Sequence, residues 1–440
     1  MKLPNTNKRL SVRLLGYRVG ELRQLDTGRL EFAYLPEYLA AAEAFAISMS
    51  MPLRKEPFGH DPAAAFFGGY LTDDPHARRA LSKLLHISER NDFALLAEIG
   101  RDCAGAISLH PPDDPVIPDE DRESELQCLS LSELADHVAR LRSRPLFVDP
   151  DGKVRLSLAG VQPKAAIVMR GSEIFLPLGG TPSTHIVKAS VEGVEDHLIN
   201  EHFSLELARA SGLPAPKSEL YREGGVEFLV VERYDRAVAP TGRVIRIHQE
   251  DFCQALGLSP DRRYEFEGGP SLRDAFALLE RTDDPVRDRL GFLDAVIFNA
   301  MLGNVDAHAK NFSLLYREGR PRLAPLYDLT ALRVYETLHG EPASRKMAMK
   351  IAKKAYPEEL YRRHWERFAQ ANGLSPAAVL RQVTRMADRV VNGLDRTVSA
   401  VSAQLHRASD MPERIAADVP ARAELMAEQV RQGAKTMESR

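Results

Sequence analysis

The sequence predicts an α+β protein in which a β-rich lobe precedes an α-rich one. Three observations carry that reading. Between about Lys153 and Asp235, short β-branched runs alternate with glycines; from Gln249 onward, apolar residues recur at helical spacing; and one hairpin, Phe312–Leu326, interrupts the helical series. Strands grouped before helices argue for α+β and against an alternating β-α-β plan.

In chain order, Ser11–Tyr17 and Leu30–Tyr34 read as strands, and His76–Leu85 and Asp92–Ile99 as helices. The glycine-bounded runs Phe66–Tyr70 and Ala104–Leu109 read as turns and short strands. His110–Asp121 holds four prolines and five acids, which no regular element accommodates, so it reads as a linker. Ser132–Leu141 resumes as a helix capped by Ser130 or Ser132. Strands follow at Lys153–Leu158, Ala165–Met169, Glu173–Leu176, His185–Lys188 and Val226–Tyr234, with one amphipathic helix, Asn200–Ser211, among them. The later helices are Gln249–Leu256, Ser271–Leu279, Asp284–Met301, Pro357–Asn372 and Pro376–Gln404. The expected divisions are 1–110, a linker and connecting helix at 111–150, a β-rich lobe at 151–235 and an α-helical lobe at 236–440.

Composition excludes several classes. The 440 residues carry 59 Lys+Arg against 62 Asp+Glu, a net charge of -3, so nucleic-acid contact must be local or shared with a partner. No run of about 18 apolar residues and no leader pattern occurs, which predicts a cytoplasmic protein without membrane contact. Cys103, Cys128 and Cys253 stand far apart, which rules out a disulfide framework and a cysteine zinc site.

The most informative segment is Asn304-Val-Asp-Ala-His-Ala-Lys-Asn-Phe-Ser313, followed by the hairpin and Leu326-Tyr-Asp328. Asp306 and Asn311 have the spacing of a kinase catalytic loop, where the Asp orients the attacking hydroxyl and the Asn binds magnesium. Pairing of the hairpin strands would bring Asn311 beside Asp328, and such hard oxygen donors suit magnesium. Polar clusters after a helix are also ordinary turns and caps, and the spacing alone leaves that open. HExxH, GxSxG, an EF-hand loop and a Walker lysine loop are all absent. The turn Ser157-Leu-Ala-Gly-Val-Gln-Pro-Lys164 could cradle phosphate, with Lys164 adding a cation. Lys188 could reach phosphates from the end of its strand, and Glu201 could pair with it; a solvated lysine and a helix-start acid explain them equally well. Glu232–Tyr234 ends an apolar strand and could offer backbone groups to adenine, or be a buried strand leaving its sheet.

Taken in order, these segments resemble the HipA family of bacterial serine/threonine kinase toxins. The resemblance is carried by Ser157–Lys164, Thr184-His-Ile-Val-Lys188, Asn200-Glu-His-Phe203, Val231-Glu-Arg-Tyr-Asp235, Gln249-Glu-Asp-Phe-Cys-Gln254, Asn304–Ser313 and Pro325-Leu-Tyr-Asp328. Upstream it extends to Phe32-Ala-Tyr-Leu-Pro-Glu-Tyr-Leu39 and Leu96-Ala-Glu-Ile-Gly-Arg-Asp102. It implies a two-lobed, protein-kinase-like fold with a family-specific amino-terminal subdomain and an all-α carboxy-terminal lobe. Asp306 would be catalytic and Asn311 and Asp328 the magnesium ligands. The ATP site would comprise Ala159, Gly160, Val161, Gln162, Lys164, Lys188, Glu232, Arg233, Tyr234, His308, Lys310, Asn311, Tyr327 and Asp328. Ser157 would be autophosphorylated as an off-switch, because a dianion cannot share the place of the ATP phosphates. The family further implies a translation-component substrate, typically an aminoacyl-tRNA synthetase, a HipB-like HTH antitoxin, and operator DNA bound by the complex. Pro163 departs from the family's Glu, which stiffens the turn. Lys346, Lys350, Lys353 and Lys354 form a basic run that reads first as a solvated helix face and second as a DNA contact. A small-molecule phosphotransferase and an inactive corepressor of an HTH protein are the alternative readings.

Overall fold

Alternating apolar residues pair as strands in the amino-terminal region, as the sequence predicts. The computed structural model describes residues 8–119, 124–148 and 156–438, with side chains to residue 432. Its first strands are β1 (Arg9–Leu14), β2 (Tyr17–Gln24), β3 (Leu30–Tyr34) and β4 (Ile107–His110), in a sheet of order β3-β2-β1-β4. Helices α1 (Pro36–Leu39), α2 (His60–Gly68), α3 (Pro75–Leu85) and α4 (Asp92–Ile99) accompany it. The expected turn and strand around Phe66–Tyr70 is instead the end of α2, where the run of small residues after Pro62 continues a helix until Gly68 and Gly69.

A second sheet comprises β5 (Leu126–Leu129), β6 (Lys164–Arg170), β7 (Glu173–Pro177), β8 (His185–Ala189), β9 (Ser218–Glu223) and β10 (Val226–Glu232), in the order β5-β7-β6-β8-β10-β9. Helix α5 (Leu131–Ala139) begins in a capping box between Ser130 and Glu133, so Ser130 is the cap. Of the strand expected at Lys153–Leu158, residues 153–155 lie outside the described residues, and Leu156 makes only a single bridge to Asp102. Helix α6 (His197–Ala210) follows β8. Strands β11 (Arg236–Val238) and β12 (Val244–Arg246) form a small hairpin. The helix expected over Gln249–Leu256 is split. Gln249–Asp251 is strand β13, pairing with β14 (Ser313–Arg317), which adjoins β15 (Arg320–Leu323). Only Phe252–Leu256, α7, is helical, because Asp251 and Gln254 form a capping box that starts the helix there.

The remaining helices are α8 (Leu272–Leu279), α9 (Pro285–Leu302), α10 (Arg362–Ala371), α11 (Pro376–Ser402) and α12 (Met411–Glu438). The sequence reading missed α12, and it ran Pro357–Asn372 together where a short 3-10 turn precedes α10. The basic run is not a helix face. Ile351 and Lys354 bridge across a tight turn in which Ala352 and Lys353 have φ of 47° and 69°, and Lys354 pairs with Glu359. By contact density the chain forms two units. One contains residues 1–189, 222–261 and 313–321; the other contains 190–221, 262–312 and 322–440.

Inside the first unit lies a buried ionic network. Asp102, Arg233, Asp235, Arg236 and Arg246 are all 8% exposed or less. The Asp102 carboxylate accepts from Arg236 (2.9 Å), Arg246 (3.2 Å) and the Ser183 hydroxyl (2.8 Å). Asp235 accepts from Arg233 (2.9 and 2.7 Å) and from the Gly105 N–H (2.6 Å). Burial alone would raise both carboxyls, but the adjacent guanidiniums overcome it and hold both below the ordinary aspartate range.

The second unit has an aromatic spine. Edge-on contacts link Trp365 to Phe368 (5.9 Å), Phe368 to Phe276 (5.6 Å), Phe276 to Phe292 (5.1 Å) and Phe292 to Phe312 (5.0 Å). Each pair contributes about 0.5–1.5 kcal/mol beyond its buried area. The spine ends at Phe312, directly after Asn311.

Two outcomes are expected. Phe292→Ala lowers stability by roughly 3–5 kcal/mol, measured by urea unfolding. Asp235 is depressed in the folded state, so the stability it contributes is complete above about pH 4 and is lost as pH falls below that. Asp235→Asn therefore costs about 3–5 kcal/mol at pH 7 and flattens the decline of stability between about pH 4 and pH 2.

Candidate functional site

The loop carrying Asp306 is set by how α9 ends. Asp284 caps the helix start through the Arg287 N–H (3.1 Å), and Gly303 ends it with φ +75°. A Cβ on Gly303 would come 2.5 Å from Arg333 Cγ, so glycine is required by both conformation and space. Asn304 then donates to the Asn299 side chain (2.8 Å), and the Val305 carbonyl accepts from the Ala348 N–H (2.8 Å). The loop folds on itself: His308 N–H donates to the Asp306 carbonyl (2.7 Å), Asn311 N–H to the His308 carbonyl (2.9 Å) and the Asn311 side-chain amide to the Asp306 carbonyl (3.3 Å).

Asp306 is half-buried, and its carboxylate accepts from the Tyr264 hydroxyl at 2.7 Å. The Tyr264 ring stands edge-on to His308 at 4.9 Å and stacks on Phe266 at 5.1 Å. Burial raises the Asp306 carboxyl; His308, Tyr264 and Arg263 work against that, while Asp328 adds to it. Burial also lowers His308, which favours its neutral form. Asp328 is exposed at φ +56°, and Tyr327 beside it donates to the Lys310 carbonyl at 2.6 Å. Three residues on, Ala331 is held by the Asn200 side chain, which accepts from its N–H (2.7 Å) and donates to its carbonyl (3.1 Å). Lys310 and Asn311 are both buried. The structure therefore gathers Asp306, His308, Lys310, Asn311, Tyr327 and Asp328 in one region.

The donor chemistry fits magnesium. Asp328 and Asp306 are close enough for one carboxylate to raise the other, which a divalent cation relieves, and Asn311 lies in the same loop. Among the described residues no group of three or more His, Cys, Asp or Glu could hold a metal by itself. Magnesium needs only one or two protein oxygens when phosphates supply others. Tyr264 was missed from the sequence. Its only local signal is the tight Gly268-Gly269-Pro270 loop, where a Cβ on Gly269 would lie 2.1 Å from the Arg262 carbonyl.

In the first unit, Gly160 adopts φ +105°, and a Cβ there would sit 2.5 Å from Lys164 Nζ. Lys164 donates to the Ala159 carbonyl (2.7 Å), Gln162 donates to the Ala189 carbonyl (3.2 Å), and Val161 is 54% exposed. Strand register places Lys164 directly opposite Lys188 on β6 and β8. Opposed residues on neighbouring strands share a face, so the Lys164 and Lys188 side chains leave the sheet on the same side. Lys188 is 6% exposed, which removes the solvated-lysine reading. Ser157 is fully buried, and its hydroxyl donates to the Tyr70 carbonyl at 2.7 Å.

The Glu232–Tyr234 segment divides. Glu232 ends β10, exposed and opposite His185, and the Tyr234 hydroxyl bonds Gln249. Arg233 turns its side chain into the interior. Its N–H donates to the Thr184 carbonyl (2.9 Å), and its guanidinium is committed to Asp235, Ser183 and the Cys103 carbonyl. Its role in this unit is structural.

The sequence and the fold both have known relatives. Residues 156–394 match the HipA-like C-terminal domain, and residues 10–110 match the HipA N-terminal domain. A Sinorhizobium fredii protein, Y4mE, a kinase by name, is 40% identical over 88% of this chain and 91% of its own. The Shewanella oneidensis serine/threonine-protein kinase toxin HipA is 32% identical over 72% of this chain and 73% of its own. A chain of the solved Shewanella oneidensis MR-1 complex of HipA, HipB and operator DNA superposes with a TM-score of 0.81 at 28% identity, covering 96% of this chain and 99% of that one. With the HipA-like C-terminal domain matched over more than half its length, the chain belongs to the HipA family.

Proposed function

We propose that this protein is an ATP- and magnesium-dependent serine/threonine-protein kinase acting as the growth-arresting toxin of a type II toxin–antitoxin module. The observation that carries this reading is the self-bonded loop Asp306–Asn311, with Tyr264 on the Asp306 carboxylate and Asp328 within electrostatic reach. The Shewanella relative is named as such a toxin and is solved with HipB and operator DNA. On this reading a HipB-like HTH antitoxin and operator DNA are the partners. The target is a component of translation, an aminoacyl-tRNA synthetase foremost.

Each residue has a defined part. The Tyr264 hydroxyl fixes one Asp306 oxygen, which orients the carboxylate to accept the proton of the attacking hydroxyl. Lys164 and Lys188 meet the phosphates of ATP with the paired charge their register creates. Asn311 and Asp328 would hold magnesium, which neutralises phosphate charge when bound. Ala159 to Gln162 line the phosphate turn, Glu232 and Tyr234 lie where the adenine-facing strand ends, and His308, Lys310 and Tyr327 shape the loop. In autophosphorylation the γ-phosphoryl leaves the β-phosphate oxygen for Ser157 Oγ, the hydroxyl proton passes to Asp306, and ADP departs. Because Ser157 is buried against Tyr70, the turn must first move.

Intact-mass analysis before and after incubation with magnesium and ATP tests the proposal. Wild type gains one phosphate at Ser157 and Asp306→Gln gains none, with turnover reduced by roughly 10²–10⁴. A wild type that starts unmodified and stays unmodified overturns the reading. Lys188→Met raises the KM for ATP by about 10–100-fold, the size of a lost charge-assisted contact, measured by steady-state kinetics.

A further inference from the structure

We infer that Tyr70–Asp73, in the amino-terminal part of the first unit, clamps the phosphate turn, with Thr72 as the positioning residue for nucleotide binding. The inference rests on the nucleotide reading of that turn. Three hydrogen bonds join the two segments, and a fourth ties the turn to Asp102. Ser157 Oγ donates to the Tyr70 carbonyl (2.7 Å), and the Thr72 hydroxyl donates to the Gly160 carbonyl (3.0 Å). The Asp73 N–H donates to that same carbonyl (3.3 Å), and the Ser157 N–H donates to the Asp102 carbonyl (3.0 Å). Two isolated parallel bridges, Thr72 with Gly160 and Asp102 with Leu156, mark the same seam. Thr72 is 7% exposed, and its hydroxyl is used on both sides, accepting from the Asp74 N–H at 3.2 Å.

The chemistry of a peptide plane makes this more than packing. A trans peptide points its carbonyl and the next N–H in opposite directions. Pinning the Gly160 carbonyl to Thr72 and Asp73 therefore aims the Val161 N–H away from the clamp. A carbonyl facing phosphate would repel it, whereas an N–H attracts it. Gly160, at φ +105°, has the conformational freedom to let that peptide rotate, so the glycine alone does not fix its direction. Thr72 does. The same bonds keep Ser157 buried, so one clamp governs both how well the turn receives phosphate and how readily Ser157 is released to accept one.

The test uses the full chain. Thr72→Val keeps the shape and removes the hydroxyl; Thr72→Ser restores it. In Thr72→Val, hydrogen exchange over residues 157–163 accelerates, the KM for ATP rises about three- to tenfold, the weight of one hydrogen bond, and kcat changes less than about twofold. Phosphate also accumulates faster on Ser157, while Thr72→Ser behaves as wild type. Unchanged exchange in Thr72→Val overturns the clamp, as does a loss that Thr72→Ser fails to rescue. Wild type supplies a check that needs no variant. The Asp73 amide donates across this seam to the Gly160 carbonyl, so it exchanges with clear protection, and unprotected exchange there overturns the proposal. If the protein binds no ATP, the kinetic arm fails with the kinase reading while the exchange arm still decides the clamp.

Discussion

Two buried carboxylates surrounded by three guanidiniums impose a condition on everything nearby in the first unit. Asp102 and Asp235 bind Arg233, Arg236 and Arg246, which brings together three stretches of chain: the one at Asp102, residues 233–236, and the one at Arg246. Such a cluster contributes little net stability when complete, because desolvation offsets attraction, but it is costly to leave incomplete. It therefore selects geometry. The segment following α4 must lie against the end of β10 and against β12 at once, and the Asp102 backbone then meets Ser157. An ionic requirement of the interior thus dictates where the Ser157–Lys164 turn can run.

In the second unit the corresponding constraint is apolar. The spine from Trp365 to Phe312 anchors the chain immediately after Asn311, while Gly303 and Asn304 anchor it before Asp306. Seven residues between two fixed ends leave few paths, and the internal hydrogen bonds of the loop choose among them. The Tyr264 contact is then a contact to a carboxylate already in place, and it works against the rise that burial imposes on the Asp306 carboxyl.

Much of this was legible in the sequence, for identifiable reasons. Asp306 and Asn311 are close in the chain, so a local spacing could suggest their relation. The β-rich run, α3, α4, α8 and α9 follow from periodicity and caps at Asp74, Asn91, Ser271 and Asp284. What escaped depends on long-range geometry. Tyr264 is 42 residues from Asp306, and Thr72 is 88 from Gly160. Lys164 and Lys188 were each visible, but their opposition is a matter of strand register. The polar end of the strand at Arg233 gave no sign that its guanidinium turns inward. Gln249–Asp251 was read as helix because its pairing partner, β14, is more than sixty residues away.

Each of the two units is assembled from three separate stretches of sequence, and the stretches alternate. Neither unit is therefore a module in the genetic sense. No single cut yields either one whole, and no recombination at one breakpoint can exchange all of one unit while sparing all of the other. An expression strategy that isolates one unit would have to permute or stitch the chain.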